Sequence, residues 1–130
     1  MFRGAGVIGR FGVALLASLL LSGGALADPA FEAFLPRFRA AVATGDAAGL
    51  ADLTRLPFLY EGKPHDRAAF TRIMPVLFDA PVRRCLAAAR PLVEDDAQVV
   101  FCPPLAFYFR KGDDGRYRLD EFAADGEDAP

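Results

Sequence analysis

The fold is decided by residues 99–122, which read VVFCPPLAFYFRKGDDGRYRLDEF. A short apolar run ends at Cys102, in front of two prolines. Residues 105–110 then alternate between apolar and other side chains. Residues 111–115 contain the Asp and Gly that tight turns favour, and residues 116–122 alternate again. This pattern predicts three antiparallel strands. The predicted aromatic face of the second strand carries Leu105, Phe107 and Phe109.

Four helical patterns lie upstream of these strands. Asp46 and Asp66 stand at cap positions of the second and third helices, and Pro81 opens the fourth. Residues 58–60 read as a short strand, and residues 62–65 as a turn. Since a sheet with one aromatic face must be covered, we predict a single α+β domain with helices packed on an antiparallel sheet. The first helix has apolar side chains at helical spacing, namely Phe31, Phe34, Leu35, Phe38 and Val42.

The N-terminal segment has the order of a secretory signal peptide. Arg3 and Arg10 precede a short apolar run, and Ala-Leu-Ala at residues 25–27 is a cleavage site. The alternative is an uncleaved anchor, but the uncharged run is shorter than the roughly 20 residues of a spanning helix. We therefore predict a signal peptide over residues 1–27, an α+β domain over 28–124 and an acidic tail over 125–130. The product would be periplasmic or secreted, without a membrane anchor.

Both cysteines, Cys85 and Cys102, lie after the cleavage site. In an oxidising compartment, two cysteines with none left over predict one structural disulfide. The alternatives are two free thiols or a redox pair, although redox pairs usually have the C-x-x-C spacing.

Composition excludes several chemistries. The formal net charge is −2 and the chain has a single histidine, so neither a nucleic-acid-binding basic face nor a histidine-based metal site is predicted. Ser18 and Ser22 are the only serines and lie in the signal peptide, which excludes a serine triad. His65 beside Asp66 suggests acid–base chemistry, but Asp66 also fits a helix cap. No cofactor and no catalytic residue are assigned.

Four residues are candidates for lining a ligand pocket: Tyr60, Tyr108, Tyr117 and Glu121. In the predicted third strand, Tyr117, Leu119 and Glu121 share one face. If the helices cover that face, Glu121 lies at the edge of an apolar pocket, where burial raises the pKa of a carboxylate. The alternative is a rim carboxylate paired with Arg110 or Arg118.

The order of motifs resembles a known superfamily. A first helix is followed by VATGD at residues 42–46, Leu-Pro-Phe at 56–58 and a phenylalanine-bearing helix at 67–78. Phe-Tyr-Phe at 107–109 and GRYRL at 115–119 complete the order. The chain is similar to small exported members of the nuclear transport factor 2-like superfamily. That resemblance implies a cone in which helices pack into a strongly curved antiparallel sheet, often around a pocket. Its enzymes place Asp, Tyr or His in that pocket, and no clear match to those sets is present here.

The function expected from these observations is a non-catalytic, exported module that binds a small ligand or a periplasmic protein. A first alternative is a small lyase or isomerase that uses Tyr60, Glu121 or Asp120. A second alternative is a structural protein that forms a homodimer, because the superfamily often dimerises through its sheet. A cavity with an inward carboxylate would favour the enzyme.

Overall fold

The computed structural model describes residues 28–124, so the predicted signal peptide and the predicted acidic tail lie outside the described residues. The described chain forms one α+β domain. Its helices are α1 (Pro29–Thr44), α2 (Ala47–Asp52), α3 (Arg67–Leu77) and α4 (Ala80–Ala88). Its strands are β1 (Phe58–Tyr60), β2 (Lys63–His65), β3 (Leu92–Glu94), β4 (Ala97–Cys102), β5 (Leu105–Lys111) and β6 (Tyr117–Ala124).

Aspartate side chains cap the helices as the sequence predicts. Asp46 accepts a hydrogen bond from the backbone of Gly49 at 2.9 Å, and Asp66 accepts one from Ala69 at 2.9 Å. α1 begins at Pro29 and continues through Pro36, which is exposed. Within residues 28–124, no helix is long and apolar enough to cross a lipid bilayer.

The main sheet is antiparallel with the strand order β3-β4-β5-β6, while β1 and β2 form a separate hairpin. The three strands predicted within residues 99–122 are present, and β3 adds a fourth. The predicted turn at residues 62–65 is wrong, because Lys63–His65 forms β2. The turn is instead made by Glu61 and Gly62, whose φ angles of 52° and 77° suit a two-residue hairpin.

The core lies between α1 and the inner face of the sheet. Phe107 and Phe109 are fully buried, as the alternation in β5 predicts. The ring of Phe109 lies 5.6 Å from that of Phe31 and 4.9 Å from that of Phe38, while Phe78 stacks on Phe107 at 5.6 Å. Large rings therefore fill the space between the helices and the sheet.

A β-bulge in β6 changes which side chains face the helices. Phe109 pairs with Leu119, but Tyr108 pairs with Glu121, so Asp120 is an extra residue without an opposite partner. The prediction that Glu121 shares a face with Leu119 is therefore wrong. The inserted residue turns Glu121 to the outer face and brings Phe122 to the inner one.

A disulfide joins Cys85 in α4 to Cys102 at the end of β4, with a Cα–Cα distance of 5.7 Å, which confirms the predicted bridge. α4 is also held by Arg39 of α1. The Arg39 guanidinium donates hydrogen bonds to the carbonyl of Leu86 at 2.7 Å and to that of Ala89 at 2.5 Å. The bridge and these bonds fasten α4 to the rest of the domain.

Candidate functional site

The four predicted pocket residues lie on three separate surfaces. Tyr108 and Glu121 project from the outer face of the sheet, where they are opposite each other. Tyr60 lines an apolar cleft beside α3 and α4, and Tyr117 lines a second cleft beside α1. The structure therefore does not bring them together into one pocket.

The first surface is the outer side of the four-stranded sheet, which we call the open face. Its apolar residues are Leu92, Ala97, Val99, Phe101, Ala106, Tyr108 and Ala123, as the strand register shows. Ala97, Val99, Ala106 and Tyr108 form a cluster separate from the helix-covered core. Leu92 and Phe101 are 57% and 42% exposed, whereas Val99 between them is fully buried. Sheets with one solvated face usually alternate apolar and polar residues, so an apolar outer side is unusual.

The other end of the open face carries a cluster of charges around Arg110. Its guanidinium binds Asp96 at 3.2 Å and both Asp120 and Glu121 at 2.7 Å. The hydrogen bond to Glu121 raises the pKa of Arg110, against the effect of burial. Burial alone would raise the pKa of Asp120, but hydrogen bonds from Arg55 and Arg110 outweigh it and lower that pKa.

These contacts bear on the proposed acid–base chemistry. The Glu121 side chain is 50% exposed and paired with Arg110, which is the rim arrangement considered as the alternative. Asp120 is an ionised carboxylate between two arginines. An acid–base carboxylate is usually poised by burial in an apolar pocket, and neither residue has that environment.

The second surface is the apolar cleft, of about 190 Å³, which contains Tyr60. The Tyr60 ring stacks on Phe122 at 5.6 Å and meets the edge of His65 at 5.6 Å. A neighbouring depression of about 310 Å³ shares Val82 and Leu105 with the cleft and extends it along the disulfide. The lining of the combined groove is largely apolar.

His65 and Asp66, at the edge of the same region, do not interact as an acid–base pair. A ring nitrogen of His65 lies 2.9 Å from the carbonyl oxygen of Lys63. Asp66 is engaged as the cap of α3. The helix-cap interpretation of Asp66 is thus confirmed.

The third surface, which we call the basic cleft, has a volume of about 540 Å³. It is lined by Ala30, Ala33, Phe34, Arg37, Asp52, Leu53, Gly115, Arg116, Tyr117 and Arg118. The Tyr117 hydroxyl donates a 2.5 Å hydrogen bond to Asp28. Burial, together with this bond, raises the pKa of Tyr117 to about 12, and the same bond lowers the pKa of Asp28.

The core of residues 28–124 is almost entirely apolar. Thr54 is its one buried polar residue, and its hydroxyl donates to the carbonyl of Leu50 at 2.7 Å. In the same part of the chain, no group of three or more His, Cys, Asp or Glu residues is placed to hold a metal ion.

Two features of these surfaces escaped the sequence reasoning. The apolar outer side of β4 was visible in the run Val-Val-Phe at residues 99–101, which is apolar at consecutive positions as in strands buried on both sides. Arg37 gave no sequence signal, because Arg116 and Arg118, which line the same cleft, lie far away along the chain.

Comparisons with known protein families, with curated proteins and with solved structures gave no match to this chain.

Proposed function

We propose that this protein is an exported, non-catalytic binding module and that the open face of its sheet is the binding surface. The observation that carries the proposal is the apolar outer side of β4, where Phe101 is 42% exposed at a position that a solvated sheet face usually gives to a polar residue. The disulfide between Cys85 and Cys102 supports export, because such bridges persist in oxidising compartments. Intact-mass analysis of the exported protein should find residues 1–27 removed, whereas a mass that retains them would contradict the predicted cleavage.

The interior supports this proposal over an enclosed reaction site. The space between α1 and β5 is occupied by packed rings such as Phe38 and Phe109. Glu121, one of the residues that the lyase or isomerase alternative could use, lies on the open face in contact with Arg110. The filled interior leaves the outer side of the sheet, with its apolar residues and its charged cluster, as the surface for contact with a macromolecule.

The occupant that best fits the open face is a second copy of this chain. One end of the face is apolar around Phe101, and the other carries both signs of charge around Arg110. A copy related by a two-fold axis presents the same composition, so apolar residues meet each other and charges of both signs remain available at the rim. The resemblance to a superfamily that often dimerises through its sheet points the same way.

The size of the face sets the expected affinity. Strands of six to eight residues that lie about 4.8 Å apart give roughly 300 Å² of flat area per copy. That is small beside stable interfaces, which bury about 800 Å² on each partner. We therefore expect a weak dimer with a dissociation constant in the micromolar range.

Sedimentation velocity tests the proposal over protein concentrations from a few to several hundred micromolar. The wild-type protein should shift from monomer to dimer, and Phe101→Glu should remain monomeric because the charge would be buried at the interface. Leu59→Glu is the matched control, since Leu59 is 59% exposed on β1, away from the open face, and should leave the dimer intact.

The results distinguish a second copy of this chain from a different partner protein as the occupant of the open face. A wild-type protein that stays monomeric throughout contradicts the second copy as occupant. A defined partner protein that binds wild type and Leu59→Glu but not Phe101→Glu would then make that partner the occupant. If wild type, Phe101→Glu and Leu59→Glu behave alike in both sedimentation and partner binding, the open face is not a binding surface.

A second candidate function is the binding of a small apolar ligand in the groove beside Tyr60. It is favoured by the exposure of apolar walls there, above all Val76, which is 68% exposed. Titration with indole, followed through amide chemical shifts, should perturb residues around Tyr60 and Phe122. Val76→Lys should abolish that response, and a response spread evenly over the surface would contradict the groove.

A further inference from the structure

The basic cleft combines small residues with positive charge. Ala30 and Ala33 lie on the α1 side, and their short side chains leave room between the helix and the start of β6. Phe34 and Leu53 are buried residues that add apolar surface to the lining. Arg37 approaches from α1, while Arg116 and Arg118 come from the end of the β5–β6 hairpin.

The charges of the cleft are only partly neutralised. Arg118 binds Asp114 through two hydrogen bonds, at 3.2 and 2.7 Å, which lower the pKa of Asp114 to about 2. Asp52, the acidic residue of the lining, binds Arg67 at 2.8 Å. In the described chain, no hydrogen bond or ion pair engages the guanidinium groups of Arg37 and Arg116, although the charge of Arg116 also helps to lower the pKa of Asp114. Two cations therefore face the same cleft without a bonded counter-ion.

The sheet edge contributes a backbone donor. The N–H of Leu119 binds the carbonyl of Leu53, and its own carbonyl accepts from Arg55, both at 2.8 Å, so these groups face away from β5. Backbone groups of a strand repeat their direction every two residues, so the N–H of Tyr117 faces the same edge. The residues immediately before Leu53 belong to α2, and no turn or loop hydrogen bond within residues 28–124 continues the pairing to Tyr117.

We propose that the basic cleft binds a small organic anion, with a carboxylate or phosphate head group on a compact apolar body. Arg37 and Arg116 would hold the head group, since guanidinium groups bind both oxyanions through paired N–H donors. The apolar body would lie over Ala30, Ala33 and Phe34. This site lies on a different surface from the open face and does not depend on dimerisation.

Amide chemical-shift titrations of the purified protein at low ionic strength test the proposal. The probes are benzoate and phenyl phosphate, which share an apolar ring, with inorganic phosphate as the head group alone and benzyl alcohol as the neutral body. Saturable shifts are expected at residues 30–37 and 115–118 with the two organic anions. A stronger response to benzoate or to phenyl phosphate tells which head group the cleft prefers.

Charge-matched variants give the control. Arg37→Gln with Arg116→Gln should weaken binding at least about tenfold, because each lost charge-assisted contact is a substantial part of a small ligand's affinity. Arg72→Gln with Arg84→Gln removes the same charge from exposed positions on α3 and α4 and should have little effect.

Three results would overturn the inference. They are the absence of saturable binding by either organic anion, equal weakening by the two pairs of variants, and a response to benzyl alcohol as strong as that to benzoate. If inorganic phosphate binds as tightly as phenyl phosphate, the assignment of an apolar body to the ligand is wrong.

Discussion

Breaking the bond between Cys85 and Cys102 should lower stability without unfolding the domain. The bridge closes a loop with a sequence separation of 17, and in the chain-entropy model a loop of this length contributes about 3 kcal/mol at 25 °C. α4 keeps its other attachments, because Leu86 is 1% exposed in the core and Arg39 binds the carbonyls of Leu86 and Ala89. The reduced protein should therefore still fold, with a smaller free energy of unfolding.

The size of the thermal effect follows from the size of the domain. Unfolding entropies near 2.1 cal/mol/K per residue give about 0.2 kcal/mol/K for a domain of about 100 residues. A loss of about 3 kcal/mol thus corresponds to a fall in Tm of about 15 °C. Circular dichroism melts of the oxidised protein, with and without a phosphine reductant, measure this difference on one and the same sequence.

The double variant Cys85→Ala with Cys102→Ala provides a second comparison. It removes the bridge permanently, and its Tm should lie at or slightly below that of the reduced protein, since Cys102 is buried and its truncation also leaves a small void. A reduced protein that melts within about 3 °C of the oxidised one would refute the loop-entropy reasoning. Two titratable thiols in the denatured, unreduced protein would refute the bridge itself.

Three further predictions concern individual contacts. Because the pKa of Tyr117 is raised to about 12 from its ordinary 10.0, wild-type stability should fall as pH rises between about 10 and 12, and urea midpoints of Tyr117→Phe should fall less over that range. Arg39→Met should cost about 2 kcal/mol in urea unfolding, since it removes two hydrogen bonds to α4, and no loss would contradict their role. Deletion of Asp120 should preserve the fold and keep Phe122 in the core, as amide exchange would show; loss of the native spectrum would contradict the assignment of the bulge.

Much of the fold could be predicted from local patterns. Asp46 and Asp66 cap helices because a short carboxylate can satisfy the free N–H groups of a first turn, a property that depends only on neighbouring residues. The alternation in β5 identified Phe107 and Phe109 as core residues for a similar reason: side chains along one strand alternate by geometry. The cysteine pairing followed from having only two cysteines.

The predictions that were wrong concern features that depend on which strands pair and in which register. Residues 62–65 predict a turn because Pro and Gly are frequent in turns, but pairing with β1 makes Lys63–His65 a strand. The four candidate pocket residues lie on separate surfaces; alternation along the third predicted strand related only Tyr117 to Glu121, and the bulge in β6 breaks that relation. Tyr60 and Tyr117 belong to clefts whose other walls come from helices, and no local pattern shows which helix lies opposite.

The bulge at Asp120 explains why the outer surface, and not the interior, carries the polar chemistry of β6. In an uninterrupted strand, Leu119 and Glu121 would both face the helices, and a carboxylate would enter a core packed with aromatic rings at a high desolvation cost. One extra residue avoids that cost, because it gives the inner position to Phe122 and turns Glu121 towards Arg110. The same register leaves the apolar outer residues of β4 beside this charged cluster. The outer face of the sheet therefore has an apolar half and a charged half, and the proposed contact with a second copy of the chain would use both.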